Sequence, residues 1–494
     1  MGDAITRDAV RRIPLDNYGI ILFLVVNVYL LWGVALPTSS QLSLDAYDSI
    51  IAPYRFLAST LMAAVPLAVL LATVFRPRCT GRIRQLLFPL SAGFSVTGYL
   101  CLVTAATAFP NSVLFGMAGA FVGFGNACCF LLWGMVLTAM DSASSTFVLL
   151  LSGGISGFSN LALFSLPTSV AYPAIAILLV VCLFMLHSSL GRADVILSQR
   201  TLAEGACSSG ASSPVSPSAR EQFILLIREL GRPLLCVVAL GLVFNAFREM
   251  AFAVVGGTAL VNAISMLGLI LGTTLVLAML VVRGSSAPRV DSLYPYITVV
   301  VAACLVAYPF MGPRYELVFT FLISCVYLLA DTLMKATMAE AARGNRIHPL
   351  AFFGAGDTVV FSTMAAGTFL GMLPREGGSV NQVMYVVAIA LICVYFLMIP
   401  LVAARRRTQQ KEHVVIRPLD KDELSMRCER LASRHGVTQS ELVVMEQLAM
   451  GRTVSAISES LNLSENTIRS HCKSLYRKLD IHSKQELIDS VCKG

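Results

Sequence analysis

The chain has 494 residues, and its composition is much more apolar than that of a soluble protein. Hydrophobic residues make up 56% and charged residues 13% of the chain, and the mean hydropathy is +0.74. Because soluble proteins carry about 25% charged residues, this composition excludes a wholly soluble protein and predicts that most of the chain lies in a bilayer. The 13 cysteines include no Cys-x-x-Cys pair, so we expect neither a disulfide framework nor a metal site.

Apolar runs long enough to cross a membrane occur at about twelve places before residue 404. The first run follows a basic segment, as in a signal peptide, but it is too long and lacks a clear small-residue cleavage site, so we interpret it as a span. The expected spans are 17–37, 50–75, 86–108, 112–139, 145–166, 170–190, 233–255, 257–282, 293–312, 315–337, 350–373 and 380–403.

Arginines in the connecting loops indicate how these spans are oriented. Positive residues resist translocation, so loops rich in arginine stay in the cytoplasm. Arginines precede the first span and follow the second, sixth, eighth, tenth and last spans, whereas Arg314 and Arg375 fall on the opposite side. The asymmetry predicts a multi-pass protein of the bacterial inner membrane with both termini in the cytoplasm.

A polar segment at 191–232 separates the first six expected spans from the last six. Its centre is rich in serine, glycine and proline, which is typical of a flexible linker. Two six-span halves joined in this way resemble the major facilitator family, and the resemblance implies a central cavity between the halves.

Polar side chains inside the expected spans are candidates for a ligand site, because a charge in the bilayer is costly and usually functional. In the facilitator arrangement, the first, fourth and seventh spans line the cavity. A pocket there would suit an anionic or hydroxylated aromatic compound. The structural alternative is that Arg248 pairs with an acid on a neighbouring helix and the asparagines bond across helix contacts. The candidate ligand-binding residues are Asn27, Arg55, Asn126, Asn245, Arg248 and Glu249.

A second charged group falls in the tenth and eleventh expected spans. Asp331 and Lys335 are four residues apart and can pair along one helix face, and Asp357 follows on the next span. The group is interpreted as a fixed structural pair, with a state-dependent latch or a proton site as alternatives. Glycines at three- or four-residue spacing, such as Gly119 and Gly123, predict close helix packing.

The sequence after residue 403 is polar and predicts a set of short helices. A helix is expected at 422–434, followed by helices at 440–450, 454–461, 464–479 and 484–491. Gly451 is a typical helix stop, and Ser464 is a preferred N-cap. The helix after Ser464 has an apolar stripe on one face and a cationic stripe on the other. The apolar stripe is Ile468, Cys472, Leu475 and Leu479, and the cationic stripe is Arg469, Lys473 and Arg477.

This pattern resembles the DNA-binding domain of the LuxR/FixJ family. The resemblance implies a helix-turn-helix whose second helix enters the major groove of promoter DNA. It places base reading on Arg469, Ser470 and Lys473, and it places Thr467 and His471 nearer the phosphate backbone; Arg477 is the further expected DNA contact. The matching positions are Thr438, Glu441, Val444, Ala449, Gly451, Ile457, Leu461, Ser464, Thr467, His471, Lys478 and Leu479.

These features together predict a membrane-bound one-component transcription regulator that senses a small molecule. The alternative is a secondary transporter with a regulatory C-terminal domain. We expect a homodimer on paired half-sites, formed through Leu487, Ile488 and Val491, and RNA polymerase as a further partner. No nucleotide or catalytic motif occurs, so we expect neither an enzyme nor a cofactor.

The expected fold class is all-α, with a membrane helical bundle followed by a small four-helix helix-turn-helix domain. The expected domains are a cytoplasmic N-terminus (1–16), a first membrane half (17–190), a cytoplasmic linker (191–232), a second membrane half (233–403), a linker with a short helix (404–435) and the DNA-binding domain (436–494).

Overall fold

The structure is a computed structural model, and all regular elements in the residues it describes are helices, as the sequence predicts. The chain divides into two compact units, a membrane unit Met1–Ala403 and a C-terminal unit Ala404–Gly494. The described residues are 15–32, 51–108, 111–207, 218–255, 258–283, 313–345, 347–376, 421–449, 457–458, 461, 465–479, 481 and 486–487.

Long apolar helices build the membrane unit. Among the described residues, nine helices are long and apolar enough to cross a membrane, and Asp16–Leu31 is a shorter apolar helix. The expected spans 293–312 and 380–403 lie outside the described residues. The described helices are α1 (Leu15–Trp32), α2 (Ala52–Phe75), α3 (Thr80–Thr107), α4 (Ser112–Ala139), α5 (Ser142–Ser165), α6 (Thr168–Cys207), α7 (Ala219–Val255), α8 (Thr258–Arg283), α9 (Pro313–Gly344) and α10 (Pro349–Glu376).

Helices α6 and α7 extend well into the range expected to be a linker. In α6, Arg192 forms an ion pair with Asp16, and Asp194 forms one with Arg84. These pairs join the C-terminal half of α6 to the starts of α1 and α3, so they stabilise a polar stretch as helix. In α7, Leu230 is fully buried in the core of the membrane unit.

Glycines allow α4 to pack directly against the backbone of α2. A Cβ atom added to Gly119 would lie 2.2 Å from the carbonyl oxygen of Tyr54, and one added to Gly123 would lie 2.3 Å from that of Ala58. Neither distance leaves room for a side chain, which confirms the close packing predicted from the glycine spacing. The Tyr54 hydroxyl donates a hydrogen bond of 2.6 Å to the carbonyl of Leu30, so α1 joins the same group.

The two membrane halves meet along α2 with α10 and along α5 with α8. Both contacts are close. A Cβ atom on Gly354 of α10 would lie 3.1 Å from the carbonyl oxygen of Pro66, and one on Gly157 of α5 would lie 2.6 Å from Ile270. The remaining space between the halves is a cavity, described below.

The C-terminal unit contains α11 (Lys421–His435), α12 (Gln439–Ala449) and α13 (Glu465–Leu479). Gly436 separates α11 from α12 with φ of 63°, a left-handed conformation that favours glycine. The three helices share one apolar core, which includes Cys428, Met445 and Leu475.

Candidate functional site

Helix α13 has the two faces that its sequence predicts. Its apolar residues pack into the core of the C-terminal unit, and its polar residues point outwards. Because the apolar face is held by α11 and α12, the opposite face is presented as one polar surface. The buried residues are Ile468, Cys472, Leu475 and Leu479; the exposed ones are Arg469, Ser470, Lys473 and Arg477; Thr467 and His471 are half-buried.

A hydrogen-bond network fixes α13 to the beginning of α12. Glu441 Oε2 accepts hydrogen bonds from the Thr438 amide at 2.8 Å and the Thr438 hydroxyl at 2.9 Å. Lys478 Nζ donates to the same oxygen at 2.7 Å and to the Gly436 carbonyl at 3.1 Å. The network therefore sets the orientation of the polar face of α13.

The charge of Glu441 is stabilised by these donors. The hydrogen bond from Lys478 is the largest cause, followed by Ser474 and Thr438, and together they lower the pKa of Glu441 to about 2. The resemblance to the LuxR/FixJ family includes Thr438, Glu441 and Lys478 as matching positions but assigns them no function. The Thr-x-x-Glu spacing of a capping box predicts the bond from the Thr438 amide to Glu441.

The cysteines of this unit belong to its core. Burial raises the pKa of Cys428 to about 12 and also raises the pKa of Cys472. Both thiols are therefore protonated at neutral pH, which suits apolar packing and agrees with the placement of Cys472 on the apolar stripe.

One expected contact is wrong. Leu487 was predicted to face a second copy of the chain, but its side chain is fully buried in the core of its own unit. The side chain packs inside its own unit and leaves no exposed surface for a partner to contact. Ile488 and Val491, and also the expected stop Gly451 and cap Ser464, lie outside the described residues.

In the membrane unit, the candidate charges pair with one another. Arg55 of α2 forms an ion pair with Glu249 of α7, and Arg248 Nη2 donates to Asn262 Oδ1 on α8. The guanidinium carbons of Arg55 and Arg248 both lie 5.0 Å from the ring centre of Phe252. All four polar side chains are at most 4% exposed. The contacts are interhelical, as the structural alternative predicts, but the partners differ: the acid–base pair joins Glu249 to Arg55, and Arg248 donates to Asn262.

The candidate asparagines occupy different surroundings. Asn245 Nδ2 donates to the carbonyl of Gly241 one turn earlier at 2.8 Å, as an asparagine with a structural role does. Asn126 is 3% exposed. Asn27 lines the cavity between the membrane halves, and of the six candidate ligand-binding residues it alone is among the described residues that form this wall.

This cavity has a volume of about 90 Å³ and is lined by α1, α4, α5, α8, α9 and α10. Both halves of the membrane unit thus contribute to its wall. Most of the wall is apolar, and Phe130 and Phe361 supply aromatic rings. The polar residues that line it are Asn27, Ser156, Tyr327, Asp331 and Thr332.

A buried group of three charges lies beside the cavity. Lys335 Nζ is 3.4 Å from Asp331 Oδ1 on its own helix and 3.3 Å from Asp357 Oδ1 on α10. The same ammonium lies 4.7 Å from the ring centre of Phe130 and 5.3 Å from that of Phe361. The predicted contact between Asp331 and Lys335 is present, and Asp357 extends it to a second helix.

Comparison with known proteins identifies the C-terminal unit. Residues 435–491 match the family described as "Bacterial regulatory proteins, luxR family". The C-terminal unit is therefore a LuxR-type helix-turn-helix domain, as its residue pattern predicts, and α13 is the helix that carries the family's DNA-contacting positions.

A curated relative matches the same end of the chain. It is the "Uncharacterized response regulatory protein YgeK" of Escherichia coli (strain K12), with 34% identity over 74 residues. The match covers 14% of this chain, and the chain spans about half the length of that relative, 50%.

Two solved structures are similar to the membrane unit in outline. They are crystal structures of the E. coli fucose:proton symporter FucP, one of a variant and one in the outward conformation. Sequence identities are 12% and 13%, TM-scores are 0.45 and 0.40, and each comparison covers 79% of this chain and 98% of the other.

Proposed function

We propose that this protein is a membrane-bound one-component transcription regulator, which senses a small molecule in its membrane unit and binds promoter DNA through α13. One observation carries the proposal: a LuxR-type domain with an exposed basic helix face shares a chain with helices of membrane-spanning length. A chain of this kind needs no separate sensor protein, because the sensing unit and the DNA-binding unit are covalently linked.

The DNA contacts follow from the exposed face of α13. Arg469, Ser470 and Lys473 read base edges in the major groove, while Arg477 and the half-buried Thr467 and His471 contact phosphates. A single helix with few basic residues binds one half-site weakly, so the protein binds paired half-sites as a homodimer and recruits RNA polymerase there. Because Leu487 is buried, the dimer contact lies elsewhere on the C-terminal unit.

The proposed location is the inner membrane, with both termini in the cytoplasm. The arginine-rich loops support this orientation, since Arg76 and Arg78 between α2 and α3, and Arg82 in the first turn of α3, are exposed. Reporter domains fused after Arg84 and after Arg407 should both report a cytoplasmic position. A periplasmic signal from either fusion would exclude this topology.

Transcript profiling tests the regulatory function. Three strains are compared: one lacking the chain, one expressing the full chain and one expressing the full chain with Arg469→Ala. The full chain should change the transcript levels of a limited set of genes, and the Arg469→Ala strain should resemble the deletion strain. If Arg469→Ala leaves the same genes regulated as the full chain does, α13 is not the regulatory element.

A secondary transporter is the second candidate function. The cavity between the two membrane halves favours it, because alternating access places the substrate site between two halves. A chain truncated after Arg407 separates the candidates. Concentrative uptake of a labelled compound into vesicles that contain this truncated chain supports transport, whereas binding without accumulation supports sensing.

A further inference from the structure

The charge group beside the cavity is not balanced by its own residues. In their ionised forms, Asp331 and Asp357 supply two negative charges and Lys335 supplies one positive charge. Lys335 Nζ lies 3.4 Å from one carboxylate and 3.3 Å from the other, whereas a strong charge-assisted hydrogen bond measures about 2.8 Å. The ammonium is shared between two acids and is closely bonded to neither.

The two acids differ in their access to the cavity. The Asp357 side chain is fully buried, whereas the Asp331 side chain is 26% exposed and lines the cavity. No lysine or arginine is among the described residues that line it. With both acids ionised, the group keeps one net negative charge beside a largely apolar wall, which is unfavourable, so the cavity favours a cation placed against Asp331, the acid that lines it.

A second, independent polar group faces the same space. Asn27 lines the cavity from α1, is 4% exposed, and its Nδ2 has no hydrogen-bond partner among the described residues. A buried amide without a partner is costly, and a hydroxyl group can satisfy it whichever way the amide is oriented. Asn27 therefore indicates a hydrogen-bonding group on the ligand, separate from the charge.

The walls and the size of the cavity restrict the ligand further. Tyr327 lines it together with Phe130 and Phe361, the two rings that face the Lys335 ammonium, and aromatic rings attract organic cations. The volume of about 90 Å³ is smaller than the roughly 150 Å³ of an engineered cavity that holds benzene. The ligand that enters without rearrangement has only a few non-hydrogen atoms.

We propose that this cavity binds a compact organic monocation that also carries a hydroxyl group, such as a small amino alcohol. Asp331 is its counter-ion and Asn27 its hydrogen-bond partner. Lys335 is then left to pair with Asp357. The proposal deepens the sensing role proposed above and rests on that role for its effect on transcription, but binding itself can be measured without it.

Binding is tested on the purified full-length chain in detergent, with 3-aminopropan-1-ol as the probe. Propane-1,3-diol is its uncharged counterpart and 3-hydroxypropanoate its anionic counterpart, all at equal concentration and ionic strength. A compound that binds the folded state raises the thermal unfolding midpoint, and a titration of the midpoint gives its Kd. The amine should bind at least tenfold more tightly than the diol, and the acid should bind more weakly still.

Variants assign the two contacts. Asp331→Asn should weaken binding of the amine at least tenfold, and Asn27→Ala should weaken binding of 3-aminopropan-1-ol more than binding of propylammonium, which lacks the hydroxyl group. Glu340→Gln removes an exposed carboxylate from the same helix and should leave the Kd unchanged. Gel filtration and a cooperative unfolding transition without added compound confirm that the membrane unit of each variant is folded. If Asp331→Asn fails to fold, the comparison of amine, diol and acid on the unaltered chain decides the question.

Equal stabilisation by the amine and the diol, or unchanged amine binding in Asp331→Asn, would overturn this proposal. The sensing function fails separately. If the amine binds through Asp331 but leaves transcript levels unchanged, the binding site stands and its role as sensor of this cation does not. If transcription responds to other compounds, and the Asp331→Asn variant responds to them equally, the chain is a regulator but Asp331 is not part of its sensor site.

Discussion

Lys478 on α13 and Glu441 on α12 are joined by a hydrogen bond of 2.7 Å between Nζ and Oε2. The bond connects the last turn of α13 to the first turn of α12. Glu441 also caps that first turn through Thr438. One carboxylate therefore both begins α12 and holds α13 in place, and Lys478 is engaged within the protein while the neighbouring Arg477 is exposed.

Replacing Glu441 with glutamine should destabilise the C-terminal unit. At pH 7 we expect the free energy of unfolding of residues 404–494 to fall by about 1–3 kcal/mol, because hydrogen bonds to a charged acceptor are lost. Unfolding in denaturant, followed by circular dichroism, measures this. Glu429→Gln changes an exposed carboxylate on α11 and should have little effect. Equal stability of Glu441→Gln and the unaltered unit would contradict the role of the network.

The same network predicts how stability depends on pH. The folded pKa of Glu441, about 2, is below its ordinary value of 4.5, so the folded state favours the charged form. Its contribution is complete above about pH 4.5 and is lost as the pH falls towards about 2. The difference in stability between the unaltered unit and Glu441→Gln should therefore shrink across this range. A difference that is constant with pH would show that the charge of Glu441 is not what stabilises the unit.

The faces of α13 could be predicted from sequence because a helix has a fixed period. Residues three or four apart share a face, so Ile468 belongs with Cys472 on the buried face and Arg469 with Lys473 on the exposed one. The position of Leu487 could not be predicted in this way. Periodicity shows that an apolar face exists, but it does not show whether that face meets the chain's own core or a second molecule.

Arg469 and Arg477 should differ in their effect on DNA binding. Arg469→Ala should reduce the affinity for a specific site about ten- to a hundredfold and leave binding of scrambled DNA nearly unchanged, since a base contact is worth about 1–3 kcal/mol. Arg477→Ala should lower the affinity for the specific and the scrambled DNA equally, and it should reduce the salt dependence of binding. Titrations of residues 404–494 at fixed salt measure both. Equal losses on both DNAs for Arg469→Ala would show that Arg469 contacts only phosphate.

The ion pair between Arg55 and Glu249 should be structural. Glu249→Gln leaves Arg55 buried without its charged partner, so we expect a destabilisation of about 3–5 kcal/mol, seen as a lower unfolding midpoint of the purified full chain. Replacing both residues, Arg55→Met with Glu249→Leu, should recover most of this loss. If Glu249→Gln instead folds normally and abolishes the transcriptional response, the ligand-binding role predicted from the sequence is the correct one.

Two glycine substitutions, at Gly123 and at Gly93, test the helix packing of the membrane unit. Gly123→Ala forces its Cβ to within 2.3 Å of the Ala58 carbonyl, so it should destabilise the unit by about 1–3 kcal/mol. Gly93 lies on α3 with no atom within 4 Å of an added Cβ, and Gly93→Ala should stabilise the helix by about 0.5–1 kcal/mol. Unfolding midpoints of the two variants in detergent should shift in opposite directions. A shift in the same direction would contradict the close contact between α2 and α4.

In the membrane unit, the sequence could predict the helices but not their partners. Length and hydropathy alone define each span, so the positions of α2 to α10 follow from the apolar runs. Pairing depends on which helices meet, and neighbours in space are distant in sequence. Arg55 and Glu249 were both candidate ligand residues, and the sequence could not show that they pair with each other across α2 and α7. Asp331 and Lys335 were predictable because their contact lies within one helix.

The central claim is that one chain is held in the membrane and binds specific DNA at the same time. The most direct test is a crosslinking experiment. DNA is crosslinked to the full-length chain in cells, the chain is recovered from the membrane fraction, and the bound DNA is sequenced. The account predicts a small number of strongly enriched sites for the unaltered chain and their loss in Arg469→Ala at an equal amount of membrane-bound protein. Recovery of the same sites with Arg469→Ala, or no enriched site while the chain is intact in the membrane, would contradict it.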